Sequence, residues 1–224
     1  MAKDKKLAYA IPEDLPSLAG LKGLRADYTS DQLTVLGRLQ DDLRVHMEEA
    51  KPKRFAHSLT VAHTAEQMAL AYGEDPFCAR VAGLLHDWDK VLPAQGQVDL
   101  ARRLGVDMGV NLDLVQPLLH GITAARELPA TYPDLPDAVW RAISLHTVGS
   151  ADMTALDMIV FVADGIEPLR KAVPDIERAR QMVADREPLD QVYLYMFASG
   201  ITYVVDTRRY LYPGTIDIYN QLVS

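Results

Sequence analysis

From Ser30 onward, apolar residues recur at helical spacing through nearly the whole chain, and the breakers between recurrences mark where each helix stops. Leu33, Leu36, Leu39, Leu43 and Met47 fall three or four residues apart, the period of one helix face. They predict a first helix from about Ser30-Asp31 to Ala50, stopped by Lys51-Pro52. Phe55, Leu59, Ala62, Ala65, Met68 and Ala69 predict a second from about Lys53 to Tyr72, with Gly73 as its C-terminal cap. Asp75-Pro76 opens a third, with Pro at a tolerated early position. It runs through Ala79, Val81, Ala82, Leu84 and Leu85 into an adjacent His86-Asp87 pair. Further helices are expected at about 94–104, 114–128, 138–146, 154–167, 175–185, 189–210 and 215–222, with 105–113 a loop and Pro129, Pro133 and Pro136 in a connection.

The run from Leu156 to Asp164 contains β-branched residues and could also suggest a strand; its length and its flanking helices favour a helix. Residues 1–29 are punctuated by Pro and Gly without sustained periodicity, and are expected to be an extension, draped over the body or partly disordered. There is no internal repeat, Gly-rich phosphate loop or alternation of strand and helix. The expected architecture is all-α, a single domain of about eight helices over residues 30–224.

Composition narrows the function. With 224 residues, 49% hydrophobic and 24% charged, the chain has ample material for one core. A net charge of -8 argues against a broad nucleic-acid surface, which needs excess Lys and Arg. The basic N-terminus is followed by no long apolar segment, so a signal peptide is not expected. The most apolar run, Met158 to Ala163, is too short to span a bilayer. Cys78 is the only cysteine, which fits a reducing cytoplasm and rules out a thiolate metal cluster. A metal would have to use nitrogen and oxygen ligands.

Six residues supply that chemistry where helices enter or leave apolar packing: His57, His86, Asp87, His120, His146 and Asp164. Imidazole and carboxylate suit Fe, Mn, Co or Zn. Six ligands exceed the need of one tetrahedral ion, and a bridging carboxylate could hold two ions within about 4 Å, an arrangement used for phosphoryl chemistry. Asp87, beside His86, is the natural bridge. Taken singly, each histidine reads more simply as a packed core residue, and a His-Asp dipeptide is common by chance. Asp164 in an apolar helix is costlier to bury without a partner, and the full ordered series shifts the balance. His63 follows His57 by six residues, about 120° around a helix, so the two cannot share a small site; His63 and His46 are left as structural or surface residues.

With these residues placed, the chain resembles the HD-domain phosphohydrolase superfamily, whose ligand order is H…HD…H…H…D. More narrowly it resembles the YqeK-like group, the symmetrical diadenosine tetraphosphate hydrolases of bacteria. The matching segments are Arg54–Ser58, Ala82–Lys90, His120-Gly121, His146–Gly149, Met153–Asp157, Val162–Arg170 and Tyr219-Asn220, within about residues 40–222. Asp89, Thr123-Ala124 and Gly165 depart from the group's usual pattern.

The resemblance implies a di-iron centre, a hydroxide bridging the two metals, and cleavage of diadenosine tetraphosphate to two ADP. It assigns His57, His86, Asp87 and Asp164 to one iron, and His120 and His146 with bridging Asp87 to the other. Lys90, one helical turn past Asp87, could reach a phosphate as a point charge; Arg170 and Arg54 could grip phosphates bidentately. Thr147 could hydrogen-bond the ligand or cap its helix. The plain alternative for Lys90, Arg54 and Arg170 is a solvated surface charge.

The expected partner is a small-molecule nucleotide, with no nucleic acid or membrane, in the cytoplasm; a homodimer is compatible with the sequence. Rival functions are another HD-type hydrolase of nucleoside mono- or triphosphates, a non-catalytic nucleotide-binding HD domain, and an HD-type di-iron oxygenase.

Overall fold

A computed structural model describes residues 15–224. The extension expected at 1–29 therefore lies outside the described residues over its first fourteen positions. The helices are α1 (Ser30–Met47), α2 (Pro52–Tyr72), α3 (Pro76–Leu85), α4 (Ala94–Arg103), α5 (Leu119–Thr131), α6 (Asp137–Leu145), α7 (Ala155–Ile166), α8 (Pro174–Ala184), α9 (Leu189–Asp206) and α10 (Pro213–Leu222). No strand occurs among the described residues, and none of their helices is long and apolar enough to cross a membrane. The class is all-α, as the periodicity implies; the short segments stand as separate helices, so the described residues hold ten rather than about eight.

Everything is arranged around α2. A helix with one apolar stripe sits at a surface, whereas one enclosed all round sits at the centre. From His57 to Ala69 every residue of α2 is buried. α3 and α7 pack directly against it, α1 also contacts it, and α6 packs against both α3 and α7. The α2–α3 approach depends on Gly83: a Cβ there would lie 2.5 Å from the Cα and 2.8 Å from the N of Ala62. The core includes Leu43, Met47, Met68, Leu84, Leu85, Ile143, Ile159 and Ile166, each essentially without solvent contact. A smaller cluster of Val98, Ala101, Val106, Val115 and Leu119 joins α4 to α5.

Local chemistry explains the helix ends. Thr29 and Gln32 form a capping box at the start of α1, one residue earlier than the expected Ser30-Asp31 cap. The Asp75 carboxylate accepts from the amides of Phe77 and Cys78 at the start of α3. A second capping box, Thr154 with Asp157, starts α7, so the strand-like composition of 156–164 is overridden by a helical start signal. Around His120 the expectation shifts. A 3-10 turn spans Gln116–Leu118, α5 begins at Leu119, and the helix continues through Pro129 to Thr131. Pro129 sits in the final turn and leaves out one backbone hydrogen bond, the one position 129 would donate to Ala125 O. Pro213, by contrast, opens α10 at its first position, where a missing N–H costs little.

The described part of the N-terminal extension is draped over the body. Its 3-10 turn, Ala19–Leu21, packs against α2 and α8, and Leu18 and Leu21 join the main core.

Candidate metal centre

Four helix segments deliver imidazoles to one point beside α2. His57 lies in the second turn of α2. His86 is the C-cap of α3, His146 the C-cap of α6, and His120 the second residue of α5. Asp87 follows His86, and Asp164 lies in the last turn of α7. All four histidines and Asp87 are buried, and Asp164 is partly so.

The ring orientations are fixed by what each Nδ1 meets. The Nδ1–H of His86 donates to Gly83 O at 2.7 Å, that of His120 to Pro117 O at 3.1 Å, and that of His146 to Ile143 O at 2.7 Å. In each case the acceptor carbonyl lies three residues upstream. Since a carbonyl can only accept, these bonds put the proton on Nδ1 and leave the Nε2 lone pair aimed into the site. His57 is different: its Nδ1–H donates to Glu167 Oε1 at 3.0 Å. Glu167, just past α7, is buried and spends its other oxygen on the amide of Leu169. Close packing between α5 and α6 needs Gly121, where a Cβ would stand 2.5 Å from Ile143 O and 2.7 Å from the His146 ring.

Asp87 faces both pairs of rings. Its Oδ1 is 3.1 Å from His120 Nε2 and 3.9 Å from His146 Nε2. Its Oδ2 is 3.8 Å from His57 Nε2 and 3.7 Å from His86 Nε2. Asp164 Oδ1 adds to the second group, 2.9 Å from His57 Nε2 and 3.8 Å from His86 Nε2. Three overlapping triads have ligand atoms within 4.8 Å of one another: His57, His86 and Asp87; His86, His146 and Asp164; Asp87, His120 and His146. The sharing makes the six residues one cluster rather than separate sites.

The donor set fits divalent cations. With both Nδ1 positions protonated, the Nε2 atoms of His120 and His146 face each other at 2.9 Å as two acceptors. The Thr147 hydroxyl lies 3.2 and 2.9 Å from them and has one proton to give. The buried Nε2 atom of His86 has no hydrogen-bond partner among the described residues. Buried acceptors left in this way are costly in the absence of a cation. The ionisation states of His86, His120, His146, Asp87 and Asp164 agree with metal ligation, which takes neutral imidazole and charged carboxylate. Burial lowers His86, and it pushes His120 and His146 down to about 4. Burial alone would raise Asp87 and Asp164; contacts with His86 and His120 for Asp87, and with His57 and Arg170 for Asp164, hold both well below the usual carboxylate range. His57 is the exception: burial works against its charged form, but Asp164 and Glu167 carry its pKa up to about 9, so it must give up a proton to ligate a cation.

Cations ring the cluster. Arg54 Nη1 is 2.8 Å from Asp87 Oδ2. Arg170 holds Asp164 through Nη2 to Oδ1 at 2.6 Å and Nε to the backbone O at 2.9 Å. Burial lowers Lys90, which sits in the combined field of Asp87, Arg54, Asp164 and Arg170. All the site residues expected from sequence thus come together, Thr147 included. His63 and His46 stay away, as expected: His63 meets Ser17 on another face of α2, while His46 stacks on Trp88 at 3.9 Å between ring centroids.

Two features were not anticipated. Glu167 lies in the 162–170 segment, and nothing in the sequence alone gives it a role there. Asp89 and Thr123, both departures from the group's pattern, are partners: Thr123 Oγ1 donates to Asp89 Oδ2 at 2.5 Å. Burial, with Glu127 adding to it and Thr123 opposing, pushes the Asp89 carboxyl up to about 6.

An all-helical body carrying clustered imidazoles and carboxylates between α2, α3, α5, α6 and α7 defines a class of helical metal-site domains. The HD domain family model matches residues 54–169, and the chain belongs to that family. Among its relatives are enzymes called symmetrical bis(5'-nucleosyl)-tetraphosphatase. The one from Staphylococcus aureus is 31% identical over 179 residues, 79% of this chain and 90% of the relative. The one from Halalkalibacterium halodurans is 28% identical over 187 residues, 84% of this chain and 96% of the relative. In structure the chain is similar to a predicted HD superfamily hydrolase from Clostridium acetobutylicum described as involved in NAD metabolism. That likeness has a TM-score of 0.74 at 30% identity and covers 88% of this chain and 98% of the other.

Proposed function

We propose that this HD-family hydrolase cleaves diadenosine tetraphosphate symmetrically, giving two ADP, with two divalent cations, most simply iron, held by the six-residue cluster. The observation that carries this reading is the division of Asp87: Oδ1 toward His120 and His146, Oδ2 toward His57 and His86. His57, His86, Asp87 and Asp164 would hold one ion, and Asp87, His120 and His146 the other. When bound, two such ions supply a water nucleophile of lowered pKa and positive charge against the phosphoryl oxygens. The relatives' activity supports the choice of substrate.

The chain's own residues do the rest. Each Nδ1 bond keeps an imidazole in the tautomer that presents Nε2 inward. Glu167 orients His57 and raises its basicity, as carboxylates behind ligating histidines do. Arg54, Lys90 and Arg170 surround the cluster with positive charge. When a polyphosphate arrives, Arg54 and Arg170 exchange their carboxylate partners for phosphate oxygens, the two guanidinium forks gripping bidentately. Thr147 donates its hydroxyl proton to a substrate oxygen.

The deciding experiment incubates metal-loaded protein with diadenosine tetraphosphate and separates the products. ADP as the sole product supports the reading, and AMP with ATP overturns symmetrical cleavage. Asp87→Ala is expected to lower turnover by about a hundred- to a thousandfold, the order reached when a transition-state charge stabiliser is lost. Full turnover in that variant contradicts a shared carboxylate.

A further inference from the structure

The segment leaving α7 serves the metal centre twice, through Glu167 behind His57 and Arg170 on Asp164, and it is held from outside that centre. α7 ends at Ile166, and the backbone turns out of the helix at Glu167, with φ -52° and ψ 153°. A helix end leaves its last carbonyls without intrahelical donors. Arg170 answers one of them, its Nε donating to Asp164 O at 2.9 Å. Further carbonyls go to Arg180 of α8. Its Nε donates to Ile166 O at 2.9 Å, and its Nη2 to Glu167 O at 2.8 Å and Arg170 O at 3.1 Å. Nη1 donates to Glu177 Oε1 at 2.5 Å, within the same helix. The Arg180 side chain is only 16% exposed, so little water stands ready to take over its bonds.

We propose that Arg180 is a positioning residue for the metal centre, acting through Glu167 and Arg170; the proposal rests on the metal reading above. Two routes lead from its guanidinium to the cluster. One passes through the backbone of Glu167 to the carboxylate that accepts from His57 Nδ1 at 3.0 Å. The other passes through the backbone of Arg170 to the guanidinium that donates to Asp164 Oδ1 at 2.6 Å. A planar fork has its donors in fixed directions, so it sets the carbonyls of 166, 167 and 170 relative to one another and to α8. Without it these carbonyls lose their donors, and the cost of leaving them unpaired favours turning the segment toward water. Glu167 and Arg170 then turn with it. His86, His120 and His146 take their aim from carbonyls in their own turns and stay as they are. The loss of Arg180 therefore falls on the His57 and Asp164 side of the cluster.

Isothermal titration calorimetry with Mn2+ on the full-length protein, stripped beforehand with chelator, tests this beside urea midpoints. Arg180→Met keeps an unbranched stem and removes every donor. It is expected to weaken Mn2+ binding about tenfold, the lower end of what partners behind metal ligands commonly cost. Arg180→Gln, which keeps one donor nitrogen, is expected to weaken it by a smaller factor, and it carries the test if Arg180→Met does not fold. Val183→Ala removes core packing from the same helix, at a side chain without solvent contact, and touches none of these donors. It is expected to lower the urea midpoint and leave Mn2+ affinity unchanged. A double-mutant cycle with Glu167→Gln separates aiming from loosening. Residues acting in series are coupled, so the pair is expected to weaken Mn2+ by much less than the product of the single effects. Parental affinity in both Arg180 variants, a Val183→Ala protein that binds as weakly as they do, or a fully multiplicative double variant overturns the role of Arg180 alone. A parent protein that takes up no Mn2+ overturns the metal reading, and this proposal with it.

Discussion

His57 differs from the other three histidines of the centre in what directs it. A backbone carbonyl three residues upstream orients His86, His120 and His146, whereas the Glu167 carboxylate orients His57. A carboxylate behind an imidazole makes it a better ligand than a carbonyl does, and losing it commonly costs 10–100-fold in metal affinity or activity. Glu167→Gln keeps the shape and an acceptor oxygen but removes the charge. It is expected to lower both metal affinity and kcat by about 10–100-fold with little change in KM. Metal titration alongside kinetics checks this, and a rise in KM alone would contradict the orienting role. The six residues of the cluster were legible because candidate ligand types are few and their chemistry fixed. Glu167 was not: what gives it a role is a ring 110 residues away, and no local spacing encodes that. Asp89 and Thr123 are opaque for the same reason. Each looks like an isolated departure until their 34-residue separation closes into a hydrogen bond.

At the scale of elements, the α2–α3 contact sets the position of the His86-Asp87 pair relative to His57. Gly83 makes that contact by bringing backbone against backbone. Gly83→Ala puts a methyl group into the backbone of Ala62, which cannot swing aside as a flexible side chain can. The expected cost is about 1–3 kcal/mol, typical of overpacking, with a loss of activity larger than the stability change suggests because α3 carries Asp87. Urea unfolding and kinetics on the same samples test this; an unchanged midpoint contradicts the close approach. Helix existence was readable almost throughout, since periodicity reports burial directly. Helix ends were less so. Thr29 rather than Ser30 caps α1, and α5 runs on through Pro129, because caps and late prolines depend on a few hydrogen bonds that the apolar pattern does not carry. The 100° step per residue did separate His57 from His63 correctly, which is the most consequential reading available from one helix.

For the whole molecule, the metal cluster and the buried His63 both make stability depend on conditions. A ligand that binds only the folded state adds about 1.4 kcal/mol for each tenfold excess over its Kd. Metal loading is therefore expected to raise the thermal midpoint, and chelator to lower it. Asp87→Ala is expected to blunt that response, and calorimetry with and without chelator measures it. The second dependence comes from His63. Its folded pKa, about 4, lies below the ordinary value of 6.5. Between these values the unfolded chain binds more protons, so stability rises with pH. His63's contribution is intact above about pH 6.5 and falls away toward pH 4, on the order of 1–2 kcal/mol by pH 5. His63→Gln is expected to be less sensitive than the parent between pH 7 and 5. Urea midpoints at the two pH values decide, and an identical loss in both proteins contradicts a neutral buried His63. Net charge, -8 for the chain, gave no hint of the local positive ring of Arg54, Lys90 and Arg170, because a sum over the surface says nothing about where its members gather.

The two ways of directing imidazoles also set an order of events for folding. Three of the rings take their aim from a carbonyl three residues upstream, so they are aimed as soon as their own turn exists. The fourth waits for a carboxylate 110 residues along the chain, and closing so long a loop carries a larger entropic cost than forming a turn. His57 is therefore the last ring to gain its direction as the chain folds. Any fluctuation that lifts the end of α7 from α2 releases it first, leaving the other three still aimed.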